Sequence, residues 1–105
     1  MGRIRSQLSS AANRRCTPGE RLRAARLVRG MSLRDVYQAS VSLAKRMRNE
    51  EFLIPPSRLH EIEARSVVPS IHRLYTLAST YGHELAEFLD WYGIPERNGA
   101  KSVDA

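Results

Sequence analysis

Helix starts and stops punctuate this chain at short intervals from Thr17 to Pro95, and between them large apolar residues recur at three- and four-residue spacings. Thr17-Pro18-Gly19-Glu20 supplies a capping hydroxyl, a proline suited to the first helical position and a carboxylate three residues past the cap. Leu22, Ala24, Ala25, Leu27 and Val28 follow as an apolar stripe among Arg21, Arg23, Arg26 and Arg29, and Gly30 closes the segment. Ser32 opens a second helix, with Asp35 in its first turn, and Leu33, Val36, Tyr37, Ser40, Leu43, Ala44 and Met47 predict its inner face to about Arg48. Asn49 to Pro56 interrupts the pattern, since the residue before a proline disfavours helix. Three shorter helices are expected beyond it. One passes through Leu59, Ile62 and Ala64; one is capped by Ser70 and ended by Gly82; the last runs from about His83 through Leu85, Phe88, Leu89 and Trp91 to Gly93. No alternating strand pattern and no internal repeat interrupts the series, so the expectation is an all-α domain.

A chain of 105 residues suffices for one domain. The stretch 1–16 is expected to be a flexible basic arm, 17–95 the folded domain and 96–105 a flexible tail, because the ends carry too little apolar surface to offset ordering entropy. The net charge is +6 and the isoelectric point about 10.2. Residues 1–60 carry thirteen basic and four acidic side chains, and residues 61–105 four and seven, a split of +9 against −3. A nucleic-acid surface and a merely basic tail both produce such a split.

Other function classes find less support. Cys16 is the only cysteine, which excludes an intrachain disulfide and a thiolate-rich metal site. His60, His72 and His83 are scattered, with no metal-ligand spacing. No nucleophile–base–acid arrangement and no glycine-rich phosphate loop stands at a supporting motif, so neither an enzyme nor a bound cofactor is expected. No apolar run is long enough for a membrane span, and no apolar leader segment follows the basic N-terminus. A cytoplasmic protein is therefore the expectation.

GERLRAARLVRGMSLRDVYQ, followed later by IPPSRLHEIEARSVVPSIHRLYTLASTYGHELAEFL, resembles the Cro/lambda-repressor-like (Xre-type) helix-turn-helix family over about Thr17 to Leu89. Its most specific pieces are Leu59-His60-Glu61-Ile62-Glu63, Val68-Pro69-Ser70 and Leu74 to Gly82, in the family's order. The resemblance implies a five-helix DNA-binding fold, here with an extended second helix. The family joins its two motif helices by a turn of about three to four residues, whereas here Ala39 to Leu53 intervenes. SVSLAKRMRNEEFL is thus read as an insertion, with Phe52-Leu53-Ile54 returning the chain to the core.

The resemblance also implies partners and roles. The recognition helix is about Pro56 to Ala64, lying in the major groove of double-stranded DNA. Arg58, Ser57 and His60 stand nearest the bases, Glu61 has only cytosine N4 as a partner there, and Pro56 offers apolar contact. Arg34, Arg65 and Ser66 are expected on the backbone, while Leu33 stands where the family often has a backbone-touching Gln. Arg26 and Glu63 match a structural ion pair between the first and third helices. Lys45, Arg46 and Arg48 on the inserted end either extend the DNA surface or form a solvated face beside Glu50 and Glu51. Arg3, Arg5, Arg14 and Arg15 either enter a minor groove or add nonspecific attraction.

Trp91, Tyr92 and Ile94 either pack back on the domain or serve a homodimer, which such proteins need to span two half-sites. The function implied is a sequence-specific transcriptional regulator. Its rival is a protein-interaction module, antitoxin-like or adaptor, marked by an exposed apolar patch at Phe52 to Ile54.

Overall fold

The computed structural model describes residues 16–94, and these contain five α-helices and no strand. They are α1 (Pro18–Val28), α2 (Leu33–Met47), α3 (Pro56–Arg65), α4 (Ile71–Tyr81) and α5 (Leu85–Trp91), with one 3-10 turn at Glu50–Phe52. The domain is all-α. None of the described helices is long and apolar enough to cross a membrane. The arm up to residue 15 and the tail from residue 95, including Arg3, Arg5, Arg14 and Arg15, lie outside the described residues.

The helix starts follow from local chemistry. The Thr17 hydroxyl accepts from the Glu20 amide at 3.1 Å while the Glu20 carboxylate accepts from the Thr17 amide at 3.0 Å. Ser32 and Asp35 make the same reciprocal pair at 3.0 and 2.8 Å, so two orphan amides are satisfied at each start. Ser70 accepts from the Arg73 amide at the start of α4, and Gly82, with φ 77°, ends that helix in the left-handed region where a side chain is disfavoured. The last helix begins at Leu85, two residues later than the apolar spacing suggests. Glu84 is its N-cap, with its amide donating to the Glu87 carboxylate at 3.0 Å.

One main core gathers Leu22, Val36, Ile54, Leu59, Ile62, Leu77 and Phe88, one or more from each helix and one from the connection before α3. A satellite cluster of Leu43, Ala44 and Phe52 lies under the far end of α2. The apolar stripe expected on α1 is narrower than its spacing implies. Leu22 and Ala25 are buried, but Ala24, Leu27 and Val28 face outward, with Val28 85 % exposed. The inner arc of α1 is filled instead by Arg26 and Gly19.

The connection from Arg48 to Pro55 is anchored backbone group by backbone group. Thr76 Oγ1 donates to the Phe52 carbonyl at 2.8 Å, Arg73 Nε to the Leu53 carbonyl at 2.8 Å, and the Ile54 amide to Ser40 Oγ at 3.1 Å. Ser40 Oγ passes its own proton to the Tyr37 carbonyl. The Phe52 ring meets His72 and Tyr75 edge-on at 5.0 and 5.8 Å. A segment without regular structure is buried here only because these partners satisfy its polar atoms. Phe52 and Ile54 are therefore interior residues, and the exposed apolar patch expected of a protein-interaction module is absent at this place.

Candidate nucleic-acid interface

The third helix has one face in the core and the other in solvent. Leu59, Ile62 and Glu63 point inward, while Ser57, Arg58, His60, Ala64 and Arg65 are exposed and Glu61 is half-exposed. Its start differs from those of α1, α2 and α4. Pro55 is the N-cap and offers no side-chain bond, so the first-turn amides of Ser57 and Arg58 meet no capping side chain. Such amides, with the positive end of the helix dipole behind them, favour an anion.

Two contacts hold α3 against α1. Arg26 Nε and Nη2 reach the two carboxylate oxygens of Glu63 at 2.7 and 2.9 Å, while Nη1 donates to the Met31 carbonyl at 2.9 Å. Both side chains are 7 % exposed. The hydrogen bond to Glu63 raises the Arg26 pKa above its ordinary value against the opposing effect of burial. The second contact is a close approach of backbones. A Cβ on Gly19 would collide with the Glu63 carbonyl oxygen and stand 2.7 Å from that of Ile62, so only glycine lets the first turn of α1 meet the last turn of α3. The Tyr81 hydroxyl is buried without a partner, and its pKa is pushed far up, first by burial and then by the Glu63 charge.

Each expected site residue can now be placed. Arg34 is exposed at the second position of α2, and Leu33 beside it packs half-buried on the core. Arg58 Nη1 lies 3.0 Å from Glu61 Oε1 on the outer face of α3, so the expected guanine reader and the awkward carboxylate hold each other. His60 points to solvent between them, and Arg65 is exposed at the end of the helix. Ser66 is different. It adopts φ 56° in the left-handed region and its Oγ accepts from the Gly19 amide at 3.0 Å, closing the α1–α3 contact. Its geometry gives it a structural task that family position alone does not reveal. Val67 offers a carbonyl to the Tyr92 hydroxyl at 3.2 Å.

The remaining candidates separate. Lys45, Arg46 and Arg48 are exposed at the far end of α2, where Lys45 and Arg48 line a shallow groove together with Glu50. His72 pairs with Glu51 at 3.1 Å, and His83 with Glu87 at 2.9 Å. No group of three metal-ligating side chains occurs among the described residues. Trp91 stacks on Phe88 at 4.8 Å and lies under the Arg21 guanidinium at 5.9 Å, so this ring and Tyr92 pack back on the domain, while Ile94 stays exposed.

No family model, no curated protein and no solved structure matches this chain.

Proposed function

We propose that this chain is a sequence-specific DNA-binding transcriptional regulator of the Cro/lambda-repressor-like (Xre-type) kind, with α2 and α3 as its helix-turn-helix and α3 read into the major groove. The observation that carries this reading is the asymmetry of α3. Its inner face is bound to α1 through a buried bidentate ion pair, and its outer face leaves Ser57, Arg58, His60, Glu61 and Arg65 uncovered. A reading helix must be rigid behind and open in front. The uncapped amides at its start and the basic surplus in residues 1–60 add attraction for phosphate.

In this reading Arg58 exchanges Glu61 for guanine O6 and N7, or keeps it and lets Glu61 accept from a neighbouring cytosine N4. Arg34 and Arg65 meet the backbone. Ser66 contributes by fixing the α3 terminus, since its oxygen already holds the Gly19 amide. The rival, a protein-interaction module, loses its chief motive with the burial of Phe52 and Ile54.

Binding of the full chain to random and promoter-region duplexes across a salt series tests this. Affinity should fall steeply with salt, and certain promoter fragments should bind more tightly than random duplex. Arg58→Ala should weaken binding by roughly 1–3 kcal/mol, and His72→Ala should leave it unchanged at a temperature where both variants are folded. No binding at low salt would sink the proposal.

A further inference from the structure

Val28 is the most exposed large apolar residue of the described chain, at 85 %, although it sits in the last turn of a regular helix. Ala24 lies one turn before it on the same edge of α1, and Leu27 beside it is also exposed. Ala24 and Val28 form one wall of a surface groove of about 430 Å3, and the Trp91 ring forms the other. Isolated exposed aliphatics are ordinary, but a contiguous apolar edge beside an aromatic wall marks a contact surface.

The charges around this groove say what would fit. On the α1 side stand the guanidinium groups of Arg21 and Arg29, and no carboxylate lines the groove. Glu87 and Asp90 follow the outer edge of α5, and exposed Ile94 lies one turn on from Asp90. The surface therefore has a basic border, an apolar centre and an acidic border, side by side. A partner of uniform charge would satisfy one border and be repelled by the other. A two-fold related copy satisfies both, because the rotation lays its acidic α5 edge on this α1 and its basic α1 edge on this α5. Ala24 at the apex lets the two helices approach closely.

We infer that the α1–α5 face, centred on Ala24 and Val28, is the surface on which a second copy of this chain docks. The dimer surface is thereby moved from the Trp91-Tyr92-Ile94 cluster, whose rings are engaged inside the domain, to the helix edge beside it. The inference uses no residue of α3 and stands apart from the DNA reading. A second apolar groove, between Met47, Ile71, Tyr75 and Leu85, has no comparable charge pattern and serves as the control surface.

Sedimentation velocity of the full chain over a wide concentration series tests this. The wild type should show a concentration-dependent dimer. Val28→Glu and Ala24→Gln should each raise the dimer dissociation constant at least roughly tenfold, with helical circular dichroism and Tm unchanged. Asp90→Arg should weaken the dimer as well, more at low salt than at high salt. Ile71→Glu should leave it intact. A wild type that stays monomeric, or a dimer that survives Val28→Glu and Ala24→Gln but is lost in Ile71→Glu, overturns the inference. A monomer that still binds duplex would remove the dimer surface and spare the DNA reading, whereas a Val28-dependent dimer that ignores duplex would do the reverse.

Discussion

At the scale of single residues, the decisive feature is a charge taken out of water. Arg26 spends all three guanidinium nitrogens on Glu63 and the Met31 carbonyl, and neither member of the pair has appreciable exposure. Desolvating both groups costs about as much as their attraction returns, so the pair specifies how α1 meets α3 more than it stabilises the domain. Removing one partner is another matter. Glu63→Ala leaves an uncompensated guanidinium in the interior and should lower unfolding stability by roughly 3–5 kcal/mol. Adding Arg26→Met to it should restore much of that loss. Urea unfolding of both singles and the double gives the coupling directly. If Glu63→Ala costs under about 1 kcal/mol, the pair is solvated in solution and α3 is not rigidly held.

Two helix ends in this fold turn through the left-handed region on residues other than glycine, Arg48 at φ 54° and Ser66 at φ 56°. The local strain is alike and the outcomes of relieving it should be opposite. Arg48 has an exposed side chain, so Arg48→Gly should stabilise by roughly 0.5–1 kcal/mol. Ser66→Gly removes the hydroxyl that accepts from Gly19, and should destabilise by roughly 1–3 kcal/mol despite the relaxed backbone. Thermal melts of both variants decide it, and a shared sign would show that strain alone governs these ends. The same contrast explains what could be read before the structure. Caps, stops and the Arg26–Glu63 pair were legible because each depends on residue types at short spacings or on family position. The outward turn of Leu27 and Val28 was not, because helical periodicity allows several arcs and only the neighbours choose among them. The task of Ser66 depends on a backbone amide 47 positions away in sequence. The pairing of Arg58 with Glu61 was visible as a three-residue spacing, yet it was read as two separate contacts.

Across the whole molecule, acid should act chiefly through helix starts. Asp35 and Glu87 have pKa values held below the usual carboxylate range, in each case first by the amide of the capping residue, Ser32 or Glu84. A carboxylate whose folded pKa is depressed adds stability above its unfolded value of about 4, and that stability is lost as pH falls through the folded value. Urea midpoints should therefore be level near neutrality and decline below about pH 4, and Asp35→Asn with Glu87→Gln should flatten the decline. A midpoint that already falls between neutrality and about pH 5 would point to other groups. The connection between α2 and α3 carries a last implication, for how such a joint changes over generations. Its route is written mostly outside itself, in Ser40, Arg73 and Thr76, which hold Ile54, Leu53 and Phe52. Related chains with a shorter joint should lose those three polar side chains together, so that covariation at positions 40, 73 and 76 reports loop length better than the loop's own letters do.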